Sequence, residues 1–559
     1  MRDLSSIQDS AYDLIIIGGG INGAGAARDA ALRGLKTLLV EKNDFASGTT
    51  SWSTRLVHGG LRYLEHFEFK LVRESLRERE ILLNTAPHLV KPIQMTIPIY
   101  KGGRRSYWEI QAGMALYDIF SFDKTLPNHR MLPAKKLQQL FRSVSSDDVS
   151  GAAQYYDCQA ECAERLCLEN IIAAQDAGAA TLNYVKVTQI SCKGDRITDM
   201  TCVDLLSGDP FTVKLADNGV VINTAGPWVD EICELGHSGD APHPLSQNRL
   251  MGGTKGSHII VDPFPGAPNT ALYVEAKSDG RPFFIVPWCG MFLIGTTDLR
   301  YDGDLDQIKA SDEEVDYLIK ETNAVVPTAQ LTRGDVKFTY SGVRPLPYTE
   351  DGKAGSISRN HILYDHAPAG INNLVSLVGG KLTTFRQVGE ELVDWAYKRR
   401  QQAAPPCQTR KQPFPGAINA QDPRIQQAID AYQGQISRES ISHLFQTYGA
   451  RAVDVLALVD RFPELGDRLT AELPDIKAQM VYAIESEMAH TIVDICRRRT
   501  VLSMHANYGF DLLPAITDTL SKYCNWDEAE CDRQVQIYRD YIEKNCQPDF
   551  AIASVPSLT

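Results

Sequence analysis

Tyr12-Asp13-Leu14-Ile15-Ile16-Ile17-Gly18-Gly19-Gly20-Ile21-Asn22-Gly23 decides how the amino-terminal part of the chain folds. Its first six residues are a short β-rich apolar run, the pattern of a buried strand in a parallel sheet. Glycines follow at once, Ala24 to Arg33 is an alanine-rich helix, and Gly34 closes it. Lys36-Thr37-Leu38-Leu39-Val40 then reads as a second strand ending in Glu41. Gly18 permits the tight turn, Gly20 lets backbone approach a pyrophosphate, and Gly23 lets helix and strand pack closely. The helix N-terminus offers free N–H groups and a positive dipole end to the diphosphate. Glu41 stands where an acid hydrogen-bonds an adenosine ribose, which favours NAD or FAD over NADP.

Further segments choose between the two. Gly48-Thr49-Thr50-Ser51-Trp52-Ser53-Thr54-Arg55-Leu56-Val57-His58-Gly59-Gly60 is a loop of small hydroxyl residues running into a glycine pair. It suits an extended ligand, because Ser53 and Thr54 offer donors while the glycines allow close approach. Gly219 to Asn223 is another strand, entering the turn Thr224-Ala225-Gly226-Pro227-Trp228. Leu374 to Val378 is a third, followed by Gly379-Gly380 and a helix expected to open at Lys381-Leu382-Thr383-Thr384. A second helix N-terminus there supports negative charge on a reduced isoalloxazine ring, which an NAD enzyme does not need. In this order the segments select FAD.

The rest of the composition narrows the class. With 559 residues the chain predicts two or three domains. Net charge −13 argues against a general nucleic-acid binder. No stretch approaches the roughly 18–20 apolar residues of a spanning helix, and the start shows neither a secretory nor a transit pattern. Twelve cysteines contain no Cys-x-x-Cys pair, and Cys158, Cys162 and Cys167 fit no zinc or iron–sulfur spacing. They read as reduced structural thiols of a cytosolic protein, with no metal site.

The chain resembles the FAD-dependent, quinone-linked glycerol-3-phosphate dehydrogenases of aerobic glycerol metabolism. The matching stretches are Ile17 to Gly25, His58 to Glu65, Asn223 to Trp228, Lys255 to Ile259, Ile294 to Asp298, Tyr340 to Leu346 and Gly379 to Arg386. The resemblance implies a Rossmann-like FAD-binding domain of the D-amino-acid-oxidase-like type (residues 11–82, 152–235 and 355–400). An antiparallel-sheet substrate domain (83–151 and 236–354) and a C-terminal helical domain (401–559) complete it. Cofactor contacts are expected from Gly18, Gly20, Gly23, Glu41, Ser53, Thr54, His58, Gly59, Gly226, Gly379, Gly380, Lys381, Leu382 and Thr383. The substrate implied is glycerol 3-phosphate, oxidised to dihydroxyacetone phosphate, with electrons passing from the flavin to a membrane quinone. The nearest alternative is the glycerol-3-phosphate oxidase, which uses oxygen and forms hydrogen peroxide.

Oxidising an alcohol phosphate requires cations for the phosphate, a flavin facing the C2 hydride, and a base for the hydroxyl proton. Arg344, Arg359 and Lys381 match positions where the family places cations, and Arg55 joins them as a substrate-side candidate. Arginine suits phosphate because its planar fork makes two parallel charge-assisted bonds. This set argues against an amino-acid oxidase, which needs a carboxylate clamp. His258, expected at the start of the strand Ile259-Ile260-Val261, is the candidate base, with an unperturbed pKa near 6.5. Thr296 and Thr297 are expected to position flavin or substrate. A flavin-bearing sensor is the non-enzyme alternative.

A quinone enzyme without a spanning helix docks on the bilayer surface, here the inner face of the cytoplasmic membrane. Lys101-Gly102-Gly103-Arg104-Arg105 precedes an apolar stripe of Tyr107, Ile110, Met114 and Tyr117, with Trp108 and Phe120 nearby. Basic residues beside interfacial aromatics suit a monotopic contact, and a core-facing helix gives the same pattern. After the linker Lys398 to Pro406, helical periodicity marks a domain that packs on the flavin domain or forms a homodimer. Its stripe is Ile441, Leu444, Phe445 and Tyr448, then Val453, Val455, Leu456 and Val459. Arg497-Arg498-Arg499 reads as a solvated or ion-paired helix face.

Overall fold

The computed structural model describes residues 4–65, 67–140, 149–235, 248–350 and 357–552. The strand Ala11–Ile17 runs parallel to Thr37–Val40 on one side and to Pro210–Asn223 on the other. Ala180–Leu182 extends the sheet beyond Thr37–Val40, and Leu374–Val378 extends it beyond Pro210–Asn223, with Ile362–Asp365 antiparallel at that edge. Alternation along the first strand builds a core on each face. Leu14 and Ile16 pack against Ala24, Ala27 and Ala31 of the helix Ile21–Leu32, together with the helices Ala163–Asp176 and Phe385–Arg399. Ile15 and Ile17 face the strands Val185–Lys193 and Arg196–Asp204. The second helix opens at Phe385, later than the Lys381 expected from the sequence; Leu382 to Thr384 form a turn instead.

A second sheet is mostly antiparallel. Thr254–Val261 lies between Val336–Arg344 on one side and Met291–Gly295 on the other, and Pro282–Trp288 and Ala271–Glu275 continue the sheet to Val90–Tyr100. Val149–Ala160 pairs along Val90–Tyr100, so residues 152–160, expected with the FAD-binding half, hydrogen-bond in the other sheet. The expected boundaries beside 236 and 355 fall on residues outside those described. Strand Thr254–Val261 also starts earlier than expected, which places His258 inside the sheet rather than at its edge.

The C-terminal helices are not an appendage. Ile492, Ile495, Leu502, Tyr538 and Ile542 share one core with Tyr273, Leu293 and Tyr340 of the second sheet. Of the expected stripe, Ile441, Leu444, Phe445, Tyr448, Val455, Leu456 and Val459 are buried, but Val453 is exposed, because it lies across the helix Ala452–Arg461 from the others. The arginine run is interior, not solvated. Arg498 and Arg499 reach Asp44 of the first domain at 2.6 and 2.5 Å, and Arg497 reaches Glu164 at 2.9 Å. Burial raises the Asp44 carboxyl, but the Arg499 and Arg498 guanidiniums outweigh it and hold it below the ordinary value.

The apolar stripe before residue 120 takes the core-facing alternative at Met114 and Tyr117. Helix Tyr107–Phe120 starts with a reciprocal cap between Ser106 and Glu109. Met114 and Tyr117 are core residues, and the Tyr117 hydroxyl donates to Asp157 at 2.9 Å while accepting the Gly59 N–H at 3.0 Å. The opposite face is exposed. Trp108, Ile119 and Phe122 are 74, 65 and 78% accessible, and Ala112 and Ala115 lie between them. Among the described residues no helix is long and apolar enough to cross a membrane.

Candidate functional site

The first glycine turn makes a cradle at the C-terminal ends of the parallel strands. Gly18 has φ +107°, and a methyl there would sit 2.6 Å from the Thr224 carbonyl oxygen. A methyl on Gly23 would collide with the Gly18 carbonyl and lie 2.6 Å from Thr224 Oγ1. Glu41 accepts the N–H groups of Gly19 at 2.7 Å and Asn43 at 2.9 Å. Burial raises its carboxyl, and those two bonds oppose the rise. Gly20 caps the helix without a side chain, while the Thr50 hydroxyl accepts the Ile21 N–H at 3.1 Å. The second glycine pair meets this motif, since a methyl on Gly380 would lie 2.7 Å from Asn22 Nδ2. The Thr383 hydroxyl accepts the His58 N–H at 3.1 Å, joining the two halves of the loop cluster.

These residues fit an FAD. Among the described residues Asn22 Oδ1, Trp228 Nε1 and Thr384 Oγ1 are buried polar atoms without a hydrogen-bond partner, and a methyl on Gly226 would meet open space. Gly23→Ala is therefore expected to yield a folded protein that retains less than a tenth of the parent's flavin. The flavin-to-protein absorbance ratio, with far-UV circular dichroism as the control for folding, measures it.

Strand alternation builds the adjoining face. Thr254, Gly256 and His258 point one way, opposite Arg344, Gly342 and Tyr340 of the neighbouring strand. The floor is cut away by glycines. A methyl on Gly256 would collide with the Arg344 guanidinium, one on Gly342 with Trp52, and one on Gly295 with the His258 ring. His258 stacks on Tyr340 at 4.7 Å, and Thr54 Oγ1 lies 2.9 Å from its Nε2. Its Nδ1 is buried without a protein partner. Burial, then the nearby Arg344 and Arg55 charges, push the imidazole well below its ordinary pKa, so it is neutral.

Arg344 donates to Thr296 Oγ1 at 3.0 Å and pairs with Asp298 at 3.1 Å. Arg359 reaches the other Asp298 oxygen at 3.4 Å. So does Arg281, at 3.3 Å, a residue the sequence reading passed over. The only local signal was an arginine directly after the hairpin turn Ser278-Asp279-Gly280, between two apolar strands. Asp298 ends the motif Ile294 to Asp298, and nothing in that motif signals its three arginine partners. Lys381 lies elsewhere in the cluster, donating to Ser75 Oγ at 3.2 Å with its ammonium 4.5 Å from the Tyr63 ring centre. Burial lowers its pKa against the opposing pull of Tyr63 and Glu74. His58 is likewise lowered by burial.

Two expected contacts are placed otherwise. Arg55 is turned inward, its guanidinium bound to both Glu164 oxygens at 2.7 and 2.8 Å, so it braces the loop from beneath and is spent as a substrate cation. Thr297 accepts the Ser257 N–H at 2.8 Å and donates to Glu314 at 2.7 Å, which commits it to the sheet. Ser53 supports the same loop: its carbonyl accepts the Tyr340 hydroxyl at 2.8 Å. The twelve cysteines are unpaired, and burial pushes the Cys162 thiol up to about 12, which makes it unreactive.

The FAD dependent oxidoreductase family matches residues 13–395, and the C-terminal domain of alpha-glycerophosphate oxidase matches residues 407–531. A glycerol-3-phosphate dehydrogenase of Synechocystis sp. is 63% identical over 555 residues, covering 99% of this chain and 100% of that protein. The chain belongs to the FAD-dependent glycerol-3-phosphate dehydrogenase family. An aerobic glycerol-3-phosphate dehydrogenase of Staphylococcus aureus is 32% identical, with 96% of this chain and 95% of that one aligned. The glycerol-3-phosphate dehydrogenase of Bacillus halodurans, solved in complex with FAD, superposes with a TM-score of 0.76 at 28% identity, over 97% and 96% of the two chains. The FAD-binding fold and the C-terminal helical domain expected from the sequence are those of this dehydrogenase family.

Proposed function

We propose that this protein oxidises sn-glycerol 3-phosphate to dihydroxyacetone phosphate, and that a membrane quinone receives the electrons. The observation that carries the reading is the convergence of Arg281, Arg344 and Arg359 beside neutral His258 on one glycine-floored face. The arginines bind the phosphate and fix the substrate's far end, so that the C2 carbon is oriented rather than merely held. His258 takes the hydroxyl proton. In the tautomer that donates Nε2–H to Thr54, the proton arrives at Nδ1, which has no hydrogen-bond partner among the described residues. Phosphate on Arg344 also neutralises one of the charges that depress the imidazole, which raises its basicity when substrate is present. The turn at Gly18–Gly23, Glu41, the loop through Ser53 to Gly59, Gly226 and Gly379 to Thr383 would hold FAD, which when bound would supply the hydride acceptor.

The exposed face of Trp108, Ile119 and Phe122 supports the membrane part of the reading. Lys101 and Arg104 are exposed at the head of the same helix, and its inner face touches the Gly59 backbone through Tyr117. Placing negative charge on this face by Trp108→Glu with Phe122→Glu is expected to cut co-sedimentation with anionic lipid vesicles at least fivefold while substrate still bleaches the flavin. The acceptor is tested by following the reduced enzyme back to its oxidised form. Re-oxidation at least tenfold faster with a soluble quinone than in air supports the dehydrogenase. Faster re-oxidation in air, with hydrogen peroxide formed, selects the oxidase.

A further inference from the structure

We infer that Asp298 is a positioning residue for the anion end of this site, gathering Arg281, Arg344 and Arg359 into a single fork for a phosphomonoester dianion. The inference rests on the glycerol 3-phosphate reading and deepens it. The three guanidiniums come from separate segments: a hairpin, the end of the strand Val336–Arg344, and the stretch after Ile357. They share one carboxylate. Arg344 holds Oδ1 at 3.1 Å, while Arg281 and Arg359 hold Oδ2 at 3.3 and 3.4 Å, and Arg281 also donates to the Asp298 carbonyl at 3.1 Å.

Three like charges this close repel, and long side chains about one-fifth exposed swing towards water unless something opposes the repulsion. The Asp298 carboxylate, 3% exposed, does so from below. It is itself fixed, because Thr297 before it is locked to Ser257 and Glu314. A phosphomonoester dianion set among these guanidiniums meets charge-assisted bonds that an uncharged polyol cannot make. Lys255 is not part of the fork; it lies on the other side of its strand, paired with Glu314 at 2.7 Å.

The test uses the flavin-loaded parent, Asp298→Asn and Arg281→Gln. Anaerobic flavin bleaching is measured against glycerol 3-phosphate concentration, and the oxidised flavin spectrum is titrated with inorganic phosphate. In Asp298→Asn the half-saturating glycerol 3-phosphate concentration is expected to rise at least tenfold while the limiting rate falls less than threefold. The phosphate titration should weaken in parallel, and Arg281→Gln should move in the same direction. An Asp298→Asn enzyme with the parent's half-saturation overturns the inference. Should that variant not accumulate as flavin-loaded protein, an Arg281→Gln half-saturation equal to the parent's overturns it instead. If glycerol 3-phosphate fails to bleach the parent, the substrate reading falls. The phosphate titration then decides the positioning inference separately, with equal affinities in parent and variants contradicting it.

Discussion

Glu164→Gln is expected to destabilise the protein by about 3–5 kcal/mol, because it strands two buried guanidiniums. Glu164 receives Arg55 from the flavin loop and Arg497 from the C-terminal domain, and all three side chains are at most 1% exposed. Burial works to raise the Glu164 carboxyl, but Arg55 and Arg497 outweigh it and hold it down to about 2 from an ordinary 4.5. By linkage that depression is worth ~3 kcal/mol. It is present in full above the ordinary value and is lost as pH falls from there through about 2. The neutral glutamine leaves the ion pair missing at every pH. Thermal unfolding followed at pH 7 and at pH 3.5 checks this: the midpoint of the variant falls well below the parent's at pH 7, and the gap narrows in acid. The consequence reaches the site. Arg497 also donates to the Ser51 carbonyl at 3.1 Å, and Arg55 adjoins Thr54, the partner of His258. The C-terminal domain therefore holds the floor of the flavin loop.

Arg344→Ala is expected to lower the ratio of limiting rate to half-saturation by about 10²–10³-fold, the ~3–4 kcal/mol of two charge-assisted bonds to a phosphate dianion. Lysine should recover only part of this, since a point charge cannot keep the bond to Thr296 and face both Asp298 and the ligand. The same change removes a charge that depresses His258, so the imidazole rises towards its ordinary value. Stopped-flow reduction of the bound flavin across substrate concentration and pH separates the two effects.

What the sequence revealed was local, and what it hid was long-range. Gly18, Gly20 and Gly23 were legible because a strand, a tight turn and a helix dipole are set by neighbouring residues. Arg344 was legible because Gly342, Val343 and Pro345 hold it at a strand end. Arg281 joins it only through the pairing of Pro282–Trp288 with Met291–Gly295, and no nearby residue signals that register. Arg55 was a substrate-side candidate through the family resemblance of the segment that carries it. Its inward direction depends on Glu164, which is over a hundred positions away. Arg497 to Arg499 are ion-paired, one of the two readings the sequence left open, but their burial was hidden because Asp44 and Glu164 lie hundreds of positions away. The helix at 107–120 is apolar on two faces, so periodicity alone could not say which one meets solvent.

The most direct measurement mixes the purified flavoprotein anaerobically with glycerol 3-phosphate or with glycerol and follows the flavin band near 450 nm. An anion-anchored oxidation predicts rapid, saturable bleaching by glycerol 3-phosphate, appearance of dihydroxyacetone phosphate in equal amount, and bleaching by glycerol at least 10³-fold less efficient. A flavin that glycerol 3-phosphate leaves oxidised, or that glycerol reduces equally well, would contradict it.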